Sequence, residues 1–154
     1  MDINIVKCER KHIDDCKVAL KNSELGRAYF SDDNKIENAI NEGISKEQIY
    51  VAINNESICV GFLWYILNGA FHSFPYLHII AIKDEFRNIG IGKKLMDFFE
   101  QDISKGCSKV FLVVADFNPM AKHFYEKIGY KEVGVIPGLY KKGISEHLMM
   151  KELY

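Results

Sequence analysis

The sequence predicts a layered α/β (α+β) domain built on a mixed sheet, and three observations carry that prediction. Two nearly continuous apolar runs, "YLHIIAI" (Tyr76–Ile82) and "KVFLVVAD" (Lys109–Asp116), suit buried central strands. Each is followed by a turn and a helical pattern, the alternation that sets neighbouring strands parallel. A further pair of strand-like runs separated by "NES" reads as a hairpin, which makes the sheet mixed.

The individual elements follow the local signals. "INIVK" (Ile3–Lys7) reads as a short first strand. Lys11 to Asn22 reads as a helix with Ile13, Cys16, Val18 and Leu20 as its apolar positions. "GRAYFSDDNK" reads as a loop, after which Asp32 or Asp33 can cap a second helix that runs to about Glu42 and stops at Gly43. "QIYVAIN" and "ICVGFLWYIL" are the arms of the hairpin, and the aromatic-rich "NGAFHSFPY" reads as a loop leading into Tyr76–Ile82. A helix from about Ile91 to Lys105 carries a broad stripe of Ile91, Leu95, Met96, Phe98, Phe99 and Ile103, and Gly106 ends it. Asn118 can cap a further helix, with Pro119 at its first position, that Gly129 stops after about Ile128. "YKEVGVI" and "EHLMMKEL" are the last strands, joined by "PGLYKKGIS". The expected order is β-α-α-β-β-β-α-β-α-β-β, with right-handed crossovers where parallel neighbours connect.

Length and composition narrow the function. A chain of 154 residues with 48% hydrophobic and 27% charged residues fits one soluble globular domain spanning 1–154. A formal charge of −1 argues against a dedicated nucleic-acid binder, which carries a basic excess. No apolar run approaches a membrane span, and "MDINIVKCERKH" lacks a signal-peptide core, so a cytoplasmic location with no membrane partner is expected. Cys8, Cys16, Cys59 and Cys107 form no CxxC pair and have no zinc spacing with a histidine; no metal site is expected, and the thiols read as small buried hydrophobes.

The chemistry concentrates in "EFRNIGIGKKLMDFF", where Gly90 and Gly92 stand at the start of a good helix. Glycine in a helix costs roughly 0.5–1 kcal/mol relative to alanine, so something other than helix stability wants this backbone bare. A helix N-terminus offers unpaired N–H groups and a favourable dipole to an anion, and glycine lets phosphate oxygens approach the main chain. The spacing fails the P-loop pattern GxxxxGK[ST], because Lys93-Lys94 follows the second glycine and the first comes too late. It fails the Rossmann fingerprint too, because a third glycine is missing.

"RNIGIG" instead resembles the [RQ]xxGxG/A signature of the GNAT superfamily of N-acetyltransferases, which holds the pyrophosphate of acetyl-CoA. "NPMAKHFYEKIGYKEVG" resembles the same family's next motif, N-x-x-A-x-x-[FL]-Y-x-K-x-G-[FY], position by position and just after a buried strand. Together the motifs cover Tyr76 to Val135; the N-terminal part matches in element order alone. The resemblance implies a GNAT-like mixed, mostly antiparallel six- to seven-stranded sheet with helices on both faces. It also implies acetyl-CoA as cosubstrate, and transfer of its acetyl group to a primary amine by direct attack in a ternary complex. The acceptor side remains open between a small-molecule amine and a peptide or protein amino group, and the chain between monomer and homodimer. A non-catalytic acyl-CoA-binding sensor is the alternative, since the glutamate that many members carry on the fourth strand is missing here.

Carried over residue by residue, the resemblance gives Ile80, Ala81 and Ile82 backbone contacts with the pantetheine arm, in a cleft where this strand splays from the next. It places Arg87, Asn88, Ile89, Gly90, Ile91, Gly92 and Lys93 around the pyrophosphate, with Lys93 and Lys94 either near the 3′-phosphate or on a solvated helix face. Asn118 caps its helix and reaches the pantetheine arm, and Tyr125 stands near the acetyl-CoA sulfur. A phenol with a pKa of about 10 can hand a proton or a hydrogen bond to a departing thiolate. An N–H at or near Ile80 would meet the developing oxyanion. The arriving amine must lose a proton: His78, two residues from Tyr76 on one strand face, is the candidate base, with Glu146, His147 or water as rivals. The acceptor pocket falls to "LGRAYFSDD", "NGAFHSFPY" and "IPGLYKKGISEH", which offer Tyr29, Phe30, Phe71, His72, Phe74, Tyr76, Tyr140 and Glu146.

Overall fold

Alternating burial along the strands resolves into one sheet in the computed structural model, which describes residues 2–154. Seven strands stand in the order β1-β2-β3-β4-β5-β7-β6 among these residues. They are β1 (Ile3–Lys7), β2 (Ile49–Asn54), β3 (Cys59–Ala70), β4 (Phe74–Ile82), β5 (Lys109–Ala115), β6 (Lys131–Pro137) and β7 (Ser145–Glu152). The β4–β5 pair is parallel and the other neighbours are antiparallel. Helices α1 (Ile13–Lys21), α2 (Glu24–Tyr29) and α3 (Asp33–Ser45) cover one face; α4 (Ile91–Phe98) and α5 (Pro119–Lys127) cover the other. Two cores result. Cys16, Leu20, Ile36 and Ile40 close on Phe62, Trp64, Ile79 and Ala81, while Ile91, Leu95, Met96 and Tyr125 close on Leu63, Leu77, Leu112 and Met149. No helix among the described residues is long and apolar enough to cross a membrane.

The structure adds a helix within the segment expected to be a loop. Ser23 Oγ accepts from Gly26 N at 2.9 Å and caps α2, and Gly26 lets α2 ride directly on the end of α1. A Cβ there would lie 1.7 Å from the Leu20 carbonyl oxygen. Gly43 does not end its helix, which runs on to Ser45; the glycine lies under the Trp64 ring, whose atoms would stand 2.8 Å from a Cβ. "NGAFHSFPY" is likewise no loop: β3 continues to Ala70, and Phe71 and His72, both at φ 56°, turn the chain straight back into β4. The helix expected to Lys105 is α-helical only to Phe98 and continues as a π-helical turn over Phe99–Ile103. That turn buries Glu100, which accepts from Lys151 Nζ at 2.7 Å and from the Tyr130 hydroxyl at 3.0 Å.

One irregularity positions everything that follows. The β3–β4 register slips between Trp64↔Ile79 and Tyr65↔Leu77, leaving His78 as an extra, bulged residue. Leu77 packs toward α4, whereas Ile79 and Ala81 pack toward α1, and Ile80 and Ile82 turn back to the α4 side. Immediately afterwards β4 leaves β5. The parallel pairing consists of Tyr76↔Phe111 and Leu77↔Leu112, so the two strands diverge from His78 and Val113 onward.

Candidate active site

The divergence of β4 and β5 opens a cleft of about 840 Å³ through the sheet. This lies within the size range of small-molecule and cofactor sites. On the α4 side it is lined by Ile80, Ile82, Phe86, Arg87, Asn88, Gly90–Gly92, Lys93, Asn118, Phe124 and Tyr125. On the α1–α2 side Tyr29, Phe30, Tyr76, His78, Phe117, Tyr140 and Glu146 line it.

The glycine turn forms the cleft's polar mouth. Gly90, the N-cap of α4, has φ 91°, and Asn88 has φ 63°. A Cβ on Gly90 would point into open space, and one on Gly92 would find nothing nearer than Phe124 Cζ at 3.5 Å. Protein packing therefore does not explain the missing side chain at Gly92. Arg87 is committed to the fold: Nε donates to the Ile82 carbonyl and Nη2 to the Asn22 carbonyl, both at 3.0 Å, while Nη1 pairs with Asp84 at 2.8 Å. It braces the turn from behind. Lys93 pairs with Asp97 on the exposed helix flank, and Lys94 borders a separate shallow depression beside β1. Ile89 is exposed and lies outside the cleft.

Asn118 Oδ1 accepts from Ala121 N at 3.3 Å and so caps α5 at the cleft wall. Tyr125, about two turns further along α5, is buried, and its hydroxyl has no hydrogen-bond partner among the described residues. Burial pushes its pKa well above the usual phenol value, so it stays protonated and able to donate. Ala81 gives its methyl to the α1–α3 core and can offer the cleft only backbone.

Across the sheet, the bulge turns His78 to the α1 side, edge-on to Trp64 with centroids 4.9 Å apart. Burial lowers the His78 pKa, which leaves a neutral imidazole at neutral pH. Glu146, on β7 opposite Ala115, is 2% exposed and accepts from the Tyr29 hydroxyl at 2.7 Å. Desolvation raises its pKa, and that of Tyr29 rises as well through burial and Glu146. The Tyr76 and Tyr140 hydroxyls meet at 3.2 Å, and the Tyr140 ring packs edge-on against Tyr29 at 5.6 Å.

Three sequence candidates for the acceptor wall stay outside it. The tight β3–β4 turn carries Phe71, His72 and Phe74 away from the cleft, and both phenylalanines pack on Phe111 instead. His147 faces the opposite side of the sheet from its neighbour Glu146; its Nδ1 lies 2.5 Å from Glu132 Oε1, a carboxylate shared with Lys122. Phe117, whose ring packs tilted against Tyr29 with centroids 5.9 Å apart, carries no sequence signal and is supplied by the fold.

Comparison with known proteins agrees with this fold. Residues 45–132 match the family model described as acetyltransferase (GNAT) domain. An uncharacterized N-acetyltransferase from Methanocaldococcus jannaschii is 30% identical over 90 residues, 57% of this chain and 58% of that protein. The thialysine N-epsilon-acetyltransferase of Bos taurus is 37% identical over 59 residues, 38% of this chain and 35% of that one. The match therefore spans little more than half of the first relative's length and about a third of the second's. The solved structure of Ard1 from Thermoplasma volcanium superposes with a TM-score of 0.80 at 20% identity, covering 100% of this chain and 99% of that one.

Proposed function

The chain belongs to the GNAT acetyltransferase family, and on that premise we propose that it is an acetyl-CoA-dependent N-acetyltransferase acting on a primary amine by direct attack in a ternary complex. One observation carries the reading. The cleft passes through the sheet, with bare backbone at a helix N-terminus on one face and an imidazole, phenols and a carboxylate on the other.

The residues fit the cosubstrate. The turn from Arg87 to Lys93 leaves room for a pyrophosphate where a Cβ on Gly90 would meet nothing. The β4 edge facing the splay has no strand beside it after Leu77, which leaves its backbone groups from His78 to Ile82 for the amides of a pantetheine arm. Asn118 and Tyr125 stand on the opposite wall. Acetyl-CoA supplies an activated acyl thioester.

The chain's own residues supply the proton handling. His78, neutral at working pH, takes the proton that the acceptor ammonium must lose. The Tyr125 hydroxyl, without a hydrogen-bond partner among the described residues and held protonated, donates to the sulfur as it leaves. The acceptor is a small-molecule amine or a peptide amino group entering past Tyr29 and Tyr140. Incubation with acetyl-CoA, a panel of primary amines and a thiol reagent tests the assignment. Amine-dependent CoA release is expected, with Tyr125→Phe lowering kcat about 10²-fold or more while acetyl-CoA affinity holds. Tight acetyl-CoA binding without release for any amine would instead identify a non-catalytic acyl-CoA-binding domain.

A further inference from the structure

Two carboxylates are buried among the described residues, and they are treated differently. Glu100 has both a lysine and a tyrosine on it, Lys151 at 2.7 Å and the Tyr130 hydroxyl at 3.0 Å. Glu146, more deeply buried at 2% exposure, has the Tyr29 hydroxyl on Oε2 and no Lys, Arg or His in ion-pair contact among the described residues. Oε1 has no hydrogen-bond partner there. A buried carboxylate without a cation is costly, and Glu146 lines the cleft.

The surroundings of Glu146 favour a positive guest. The rings of Tyr29, Tyr76, Tyr140 and Phe117 line the same end of the cleft. Aromatic faces attract an ammonium group when water is excluded. Asp116, whose Oδ2 accepts from Ser145 N, adds negative charge near by. Two basic groups stand near by without touching Glu146: Lys141 lines the same cleft, but its Nζ donates to the Ala28 carbonyl and lies over the Tyr29 ring, and His147 pairs with Glu132 on the other side of the sheet.

We propose that Glu146 and these rings form a subsite for a second, non-reacting cation, so that the preferred acceptor is a primary amine that carries a further ammonium group. This rests on the acetyltransferase reading and names the substrate class for that same site. The reacting nitrogen belongs beside His78 and Tyr125, at the point where β4 and β5 part. Glu146 pairs with Ala115, three residues beyond Leu112 along β5, or about 10 Å at the usual strand rise. A linear diamine spans that separation; a monoamine leaves Glu146 as it stands.

The test compares α,ω-diaminoalkanes with n-alkylamines of equal chain length in the CoA-release assay. The wild-type protein should favour the diamine by about tenfold or more in kcat/KM, chiefly through KM, the scale of one charge-assisted contact. Glu146→Gln should bring that ratio close to one. Equal kcat/KM for the two series in the wild-type protein would overturn the subsite and leave the acetyltransferase reading standing. A Glu146→Gln variant that keeps the wild-type ratio, or loses kcat equally for both series, would also overturn it, the latter by making Glu146 the base. Turnover of neither series while a peptide amine is acetylated would overturn the subsite alone, and no CoA release with any amine, peptide amines included, would overturn both readings together.

Discussion

At Gly92 an added Cβ would make ordinary contact with Phe124, 3.5 Å away, whereas at Gly90 the φ of 91° already demands glycine. The two residues look alike in sequence and answer to different forces. Gly92→Ala should therefore leave the fold intact or stabilise α4 by up to about 1 kcal/mol, since alanine is the better helix former. The same change should weaken acetyl-CoA binding about tenfold or more by crowding the phosphate approach. Thermal unfolding and calorimetric titration read the two effects separately, and unchanged affinity would remove Gly92 from the cradle. His78 gives a pH prediction with a fixed sign. Burial lowers its pKa, so kcat/KM should rise with pH through a limb below about 6.5, where the imidazole becomes neutral, and then level off. His78→Gln should erase that limb and cut kcat about 10²-fold; a limb that survives intact assigns the base elsewhere. The glycines, Asn118 and Tyr125 were legible because each sits in a short motif. The lack of an ion pair on Glu146 among the described residues was not, because it depends on which side chains three distant segments bring to one place.

Among the elements, the strands and long helices follow hydrophobic period closely, and the failures cluster where tertiary contact overrides it. The segment "GRAYFSDD" has the composition of a loop, yet Ser23 caps it and Gly26 lets it lie on the Leu20 carbonyl, so it folds as α2. Without α2, Tyr29 would not reach Glu146. Gly26→Ala should push α2 off α1 and raise KM for the amine several-fold or more, while acetyl-CoA affinity, set on the opposite face of the sheet, changes little. Paired KM and Kd measurements check this, and a parallel loss of both would mean that the two faces are not independent. The His78 bulge was equally hidden. "YLHIIAI" reads as an unbroken apolar strand, and the extra residue shows only when its register against β3 is counted. Gly43 misleads for a related reason, since the Trp64 ring that explains it lies far along the chain.

For the molecule as a whole, the sheet is both scaffold and partition. The parallel pairing of β4 and β5 stops at Leu77↔Leu112, and the resulting gap joins the face that carries the glycine turn to the aromatic, carboxylate-bearing face. A parallel pair flanked by well-packed antiparallel hairpins can part in this way because β3 and β7 hold each strand from its far side. The element order foretold the layers, and the family resemblance the splay of this strand from the next; what neither foretold is the bulge at His78 that precedes the divergence. Acetyl-CoA bound there should stabilise the protein by about 2.7 kcal/mol at a hundredfold excess over Kd, seen as a rise in Tm. The most direct measurement is a crystal structure of the protein with CoA. The account predicts pyrophosphate on the Gly90–Gly92 turn, the pantetheine arm along the open edge of β4, and the thiol sulfur within hydrogen-bond reach of the Tyr125 hydroxyl, with Glu146 facing it through the gap. CoA seated elsewhere, or a sulfur remote from Tyr125, would contradict it.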